Sequence, residues 1–221
     1  MAHATDYVIG TWTALDLVQR FGAIPLHRIR LKPPPGTATE QDVIDADAHE
    51  DRLCELIDGI LVEKTMGSYE AYLAMLVGRI LGNYAEANNL GIVLGADGMI
   101  RLEPRQIRVP DAAFFSWDRL PEGGLPGEAI WGLVPDLAVE VISKGNTPEE
   151  MDRKLHEYFT AGVRLVWYVY PKTREAHVWT APDRQVVLGQ QDALEGGDVL
   201  PGFRLELTTL FAKPDKAAQG K

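Results

Sequence analysis

Glu140 stands inside the run Leu137-Ala138-Val139-Glu140-Val141-Ile142. Alternate side chains of a strand face opposite ways, so Leu137, Val139 and Val141 share one face and Ala138, Glu140 and Ile142 the other. Both faces are otherwise apolar, the pattern of a strand covered on both sides in the middle of a sheet. A lone carboxylate there is costly unless something compensates it. A buried salt bridge or a strand end open to water would do so; so would a bound cation. Asp111 follows Val109-Pro110 and precedes the apolar Ala112-Ala113-Phe114-Phe115. It reads either as a turn aspartate entering a strand or as a second acid beside the first. Two carboxylates on adjacent strands can share one Mg²⁺ with waters and a phosphate oxygen. Such an ion lowers the pKa of bound water and stabilises charge on a phosphorane-like transition state, and a nearby lysine can orient the attacking water or neutralise that charge.

Other chemistries lack their residues. The histidines His3, His27, His49, His156 and His177 are scattered, with no zinc-ligand spacing. There is no Gly-x-Ser-x-Gly elbow and no Gly-Lys-Ser/Thr phosphate loop, and Gly95 and Gly98 are too sparse for a dinucleotide fingerprint. Cys54 is the single cysteine, which rules out an intrachain disulfide and a cysteine zinc cage and fits a reducing cytoplasm. No apolar run is long enough to span a membrane, and the first residues lack a secretory pattern. A net charge of −10 argues against a surface that grips DNA all over. It does not argue against an acidic site whose field a bound metal reverses.

The elements that must position these acids follow from pattern. CELIDGILVEK reads as a β-hairpin turning at Asp58-Gly59. Tyr72, Leu73, Leu76, Val77, Ile80, Leu81 and Tyr84 recur at helical spacing and predict a long amphipathic helix that stops near Asn88-Asn89-Leu90-Gly91. Short strands follow at GIVLG, GMIRLE, DAAFFS and DLAVEVIS. A helix over NTPEEMDRKLHEYFTAG has Asn146 or Thr147 as cap, Pro148 in its first turn and Gly162 at its end. VRLVWYVYP and EAHVWTA add strands, and LPGFRLELTTLF one more strand or a short helix. The order gives an α/β (α+β) domain with a central mixed β-sheet flanked by helices. A short helix, a Pro-rich arm and an acidic linker occupy residues 1–49, the domain itself 50–211, and a frayed tail 212–221. Trp167, Tyr168, Tyr170 and Trp179 could stack bases, although strand aromatics ordinarily pack cores.

Val109-Pro110-Asp111 followed by Glu140-Val141-Ile142-Ser143 resembles the PD-(D/E)XK nuclease motif. More narrowly, CELIDGILVE, VPDAAFF, VPDLAVEVIS, DRKLHEYFTAGVRLVWYVYP and LPGFRLEL, in that order, resemble the Uma-two family of restriction endonucleases. The resemblance implies a restriction-endonuclease-like core, Mg²⁺ or Mn²⁺ as cofactor, and DNA as the partner that is cut. Ile142 stands where the motif has its lysine. The resemblance suggests Lys154 as a migrated replacement, at the edge of a helical stripe of Met151, Leu155, Tyr158 and Phe159; Lys144, in phase with Glu140 if the strand continues, is its rival. Glu55 matches the family's Glu-Leu-Ile-Asp-Gly pattern and is either a third metal acid or a solvent-facing strand residue. Glu70 on the long helix is a weaker acid candidate, Val141 could offer its carbonyl, and Asp58, Asp97 and Asp136 read as turn residues.

The functional expectation is therefore a metal-dependent endodeoxyribonuclease with Asp111, Glu140 and Glu55 at the metal and Lys154 assisting. A homodimer is expected too, since many nucleases pair to cut both strands. The missing motif lysine and the acidic charge leave a catalytically inactive nucleic-acid or protein binding module as the alternative. A third reading, an interaction domain docking through the Pro-rich arm at 32–39, has less behind it.

Overall fold

The computed structural model describes residues 12–212. The N-terminal eleven residues and all of the expected tail but Ala212 lie outside that range. Helix α1 (Ala14–Phe21) and helix α2 (Glu40–Glu50) come first. Strands β1 (Cys54–Ile57) and β2 (Ile60–Glu63) precede the long α3 (Ser68–Ala87). Then follow β3 (Gly91–Leu94), β4 (Met99–Glu103), β5 (Gln106–Arg108), β6 (Ala112–Ser116), β7 (Ile130–Trp131) and β8 (Leu137–Val141). Helix α4 (Pro148–Ala161) leads to β9 (Leu165–Tyr170), β10 (Glu175–Ala181), β11 (Arg184–Leu188), β12 (Ala193–Glu195), β13 (Arg204–Glu206) and α5 (Leu207–Leu210).

The strands form two principal mixed sheets rather than one. The larger runs β11-β10-β9-β8-β6-β3, the smaller β2-β1-β5-β4-β7, and β12 pairs with β13 alone. In the larger sheet β8 lies between β9, parallel to it, and β6, antiparallel to it. The two faces of β8 are those that its sequence predicts. Leu137, Val139 and Val141 join Leu73, Val77 and Leu81 of α3 in one core cluster. Ala138 joins Met151, Leu155 and Tyr158 of α4 in another. Helices α3 and α4 therefore cover opposite faces, and Glu140 faces α4. Asp111, two residues before Ala113 in the same alternation, falls on that face as well.

The smaller sheet is anchored by its hairpin. Asp58 and Gly59 both have positive φ, 52° and 75°, as a two-residue turn between twisted strands requires. A Cβ on Gly59 would come within 2.6 Å of the Gly36 carbonyl oxygen, so glycine is needed for close approach as well as for φ.

Residues 40–50, an acidic linker by their sequence, are helical. Thr39 and Asp42 close the N-terminus of α2 as a capping box, and Val43 and Ala46 bury against Cys54, Leu56 and Ile107. Five carboxylates among eleven residues hid that two-residue apolar contact. The segment before α2 is also tied in. Leu17, Phe21, Ile24 and Ile29 pack with Ile57, Ile60 and Val62. Arg28, 3% exposed, forks onto Glu150 of α4 at 2.8 and 3.0 Å and donates to the Gly145 and Glu63 carbonyls, each at 2.8 Å. Among the described residues no helix is long and apolar enough to cross a membrane.

Candidate active site

The two sheets meet where β8 ends, and a narrow crevice opens there with about 10 Å³ of free volume, room for about one water. Asp111, Glu140, Glu55, Lys154 and Lys64 all line it. Each arrives on a different element, and local sequence explains each position.

Helix α4 is fixed at its start by Thr147, whose hydroxyl accepts from the Glu150 amide, with Pro148 next, and at its end by Gly162 at φ 102°. Lys154 and Tyr158 are one turn apart on its buried side. The Lys154 ammonium lies 2.9 Å from Glu140 Oε1 and 2.9 Å from Glu55 Oε1. The Tyr158 hydroxyl donates to Glu140 Oε1 at 2.6 Å. Lys154 is thus inside the helix's buried stripe, 3% exposed, rather than at its edge. Two acids compensate its charge there. Lys144 is exposed on the loop beyond β8, which ends at Val141 before the expected alternation reaches it.

Glu55 is buried in β1. It accepts from Arg108 Nη1 at 2.6 Å and from the Val109 amide at 3.3 Å. Arg108 in turn bonds Glu157 of α4. Asp111 Oδ2 accepts from the Val141 amide at 2.6 Å, which sets the acid across the end of β8 beside Glu140. Lys64 follows β2, and its amine donates to the Ala96 and Val109 carbonyls at 3.0 and 2.7 Å. The same amine sits 2.7 Å from Asp111 Oδ1 but off the direction of a hydrogen bond, so that buried oxygen is in ionic contact while accepting none.

Sequence reasoning missed Lys64 and Arg108. Lys64 closes the hairpin motif CELIDGILVEK, and its phase along the strand was the available signal. Arg108, in the polar stretch EPRQIR, reads as loop, yet it is fully buried between two glutamates. The other acids are not gathered. Glu70 lines a neighbouring groove, Asp58 pairs with Arg20, and Asp97 borders a separate pocket. Asp136 is buried and accepts from the Ser116 amide and Arg119, a structural lock rather than a plain turn residue.

The charges shift one another. Burial raises the Glu140 carboxyl, Lys154 opposes that, and the Asp111 and Glu55 carboxylates add to the rise. Burial works against charge on Glu55 as well, but Lys154 and Arg108 outweigh it and hold that carboxyl well below its ordinary value. At Glu150 burial is likewise outweighed, there by the Arg28 hydrogen bonds. A carboxylate held below its unfolded value contributes stability that is present above that value and lost as pH falls towards the folded one. Stability is therefore expected to fall as pH drops below the ordinary glutamate value of 4.5. Urea midpoints measured across the acid range check this. Arg28→Met, which removes the depression at Glu150, should shallow the slope.

Could the acids hold a metal? Among the described residues no group of three or more His, Cys, Asp or Glu side chains is gathered as a cage. The donor set has a different character. Asp111 Oδ1 and Glu140 Oε2 accept no hydrogen bond from the described residues, and both acids line the crevice. Mg²⁺ is usually held by one or two carboxylates and keeps several waters, so two hard oxygen donors on adjacent strands suit it.

The family model described as Uma2, putative restriction endonuclease, matches residues 41–208. The chain belongs to the Uma2 family. Among solved structures, a putative nuclease belonging to DUF820 from Anabaena variabilis is similar at 16% identity. It has a TM-score of 0.65, over 73% of this chain and 90% of that one. This likeness is one of fold. The Uma2 chain thus has the restriction-endonuclease-like core that its motifs imply, with mixed sheets flanked by helices. No curated protein matches it.

Proposed function

We propose that the chain is a divalent-metal-dependent endonuclease hydrolysing DNA phosphodiester bonds, with Asp111 and Glu140 as the residues that would hold Mg²⁺ or Mn²⁺. One observation carries this reading: two acids, buried side by side at the end of β8, each keep an oxygen that accepts no hydrogen bond from the described residues, and both line the same crevice. When bound, the ion would supply a water of lowered pKa and an electrophile for a phosphate oxygen.

This chain's own residues do the rest. An ammonium has three donors. Lys64 directs two at the Ala96 and Val109 carbonyls and stands in ionic contact with Asp111, so it is a positioning residue that holds the aspartate in place. Lys154 directs two at Glu140 and Glu55 and retains one. That remaining N–H is the one available to orient a water or meet charge growing on the phosphate. Glu55, held ionised by Lys154 and Arg108, keeps Lys154 charged and supports the site without needing to touch the metal. Tyr158 fixes the rotamer of Glu140.

The test is conversion of supercoiled plasmid to nicked or linear DNA with Mg²⁺ or Mn²⁺, against an EDTA control. Intact plasmid with both ions at saturating protein would sink the proposal. The charge balance favours one second reading, a binding module that does not cut, because two lysines already neutralise the acids. Calorimetric titration with Mn²⁺ separates the two: the module takes up no metal. Cutting both strands would call for the homodimer, which a native mass equal to one chain would refute.

A further inference from the structure

The crevice adjoins a larger groove of about 570 Å³. Both walls carry on from one to the other. Thr65 and Met66 line the crevice and Tyr69 and Glu70 the groove; Val141 lines the crevice and Ile142 and Lys144 the groove. Thr65 lies beside Gly145 where the two cavities adjoin, and a Cβ on that glycine would come within 2.7 Å of the Thr65 hydroxyl. Tyr170, which ends β9, and Lys172 just beyond it form the far side.

Two features of this groove bear on what it could hold. The first is charge. Most arginines of this −10 chain are paired with acids, among them Arg20, Arg30, Arg52 and Arg101. Lys144 and Lys172 are exposed and, among the described residues, have no carboxylate within 4.0 Å. Glu70 is the one acid lining the groove, and its carboxylate folds back over Gly67. The second feature is aromatic surface. Tyr69 is 46% exposed and Tyr170 borders the same space, with Ile142 and Pro171 between.

We propose that this groove receives a nucleic-acid strand that is unpaired next to the scissile phosphate, with a base laid against Tyr69 and flanking phosphates met by Lys144 and Lys172. The inference rests on the nuclease reading above and names the form of its substrate. A base offers its face to an aromatic ring only when it is out of a stacked duplex, and an aromatic groove with cations along it is the arrangement single strands use. The recessed acids point the same way. Asp111 and Glu140 are 3% and 4% exposed in a crevice with room for about one water, so a phosphate must be brought closely over its mouth, which a flexible strand does more readily than a stiff duplex. His177 lies against Tyr170, at 4.3 Å between centroids, and Tyr72 stacks beside Tyr69 at 6.4 Å, so the outer face of the more exposed Tyr69 is the stacking surface.

The experiment measures binding apart from cutting. A fluorescein-labelled twelve-nucleotide oligothymidylate, alone or annealed to its complement, is titrated by anisotropy with Ca²⁺ in place of Mg²⁺. The wild type should bind the single strand more tightly than the duplex. Tyr69→Ala should weaken single-strand binding about tenfold, with Tyr69→Phe restoring it. Lys144→Ala/Lys172→Ala should lower the slope of log affinity against log salt by about 1.4, at about 0.7 per phosphate contact. All three positions are exposed, so unchanged melting curves will show that the variants fold. A preference for duplex, or single-strand affinities within twofold of wild type in both the Tyr69→Ala and the double-lysine variants, overturns the groove. Plasmid nicking is scored separately. A wild type that nicks while the variants bind normally loses only the groove. A wild type that never cuts, with binding weakened in the variants, loses only the nuclease reading.

Discussion

Glu140→Gln is expected to lower metal-dependent DNA cleavage by about 10³-fold while leaving the melting temperature within a few degrees of wild type. The two halves of that result have separate causes. The amide oxygen of glutamine can still accept from Tyr158 and from Lys154, so the rotamer and both hydrogen bonds survive. Burial already disfavours charge on Glu140, and Lys154 retains Glu55, so removing the charge costs the fold little. The oxygen left without a hydrogen bond becomes an NH₂ group, which cannot bind a cation. Losing several kcal/mol of charge stabilisation at about 1.4 kcal/mol per tenfold gives the expected drop. Nicking rates and a Mn²⁺ titration read it, and a variant that cuts within tenfold of wild type would remove Glu140 from the site. Asp111→Asn should fail similarly but fold less well. Whichever way its amide turns, NH₂ faces either the Lys64 ammonium or the Val141 amide, which costs about 1–3 kcal/mol.

Lys154→Met should have the largest effect on stability, about 3–5 kcal/mol, because it strands two buried glutamates. For a chain of this size that corresponds to a fall in melting temperature of about 6–20 °C. Glu140 takes most of the effect, since Glu55 keeps Arg108. Without the ammonium, burial and the neighbouring acids raise Glu140 further. A carboxyl raised in the fold favours the folded state below its unfolded value and loses that contribution as pH rises. The gap between variant and wild type should therefore narrow as pH falls towards the ordinary glutamate value. Adding Glu140→Gln to Lys154→Met should recover part of the loss at neutral pH. Thermal melts of the single and double variants at two pH values check all three statements, and a gap that widens on acidification would contradict the argument.

Much of this arrangement is legible in the chain before any coordinates. The alternation in Leu137–Ile142 places Glu140 on one face and the apolar triplet on the other, and helical spacing carries Lys154 on the side of α4 that packs there. The hairpin turn and the cap of α4 are local signals, set by residues adjacent in sequence. What stayed hidden depends on distant contacts. Lys64 acquires a role only because Asp111, far along the chain, arrives beside it when the two sheets meet. Arg108 looks like a loop residue because its burial is a property of Glu55 and Glu157, not of its own neighbours. Helix α2 was masked by its carboxylates, and the division of the strands into two sheets by the shortness of β5 and β7.

The fork from Arg28 to Glu150 bears on where this molecule can be cut. The stretch shared with the Uma2 family begins at residue 41, and every acid of the crevice lies within it. Arg28 lies outside it, yet it lines the crevice and braces the first turn of the helix that carries Lys154. A fragment starting at residue 41 would keep all the proposed chemistry and lose the strut behind it, leaving Glu150 buried without its cation. The smallest stable unit of this protein is therefore expected to be longer than the stretch that the family model matches.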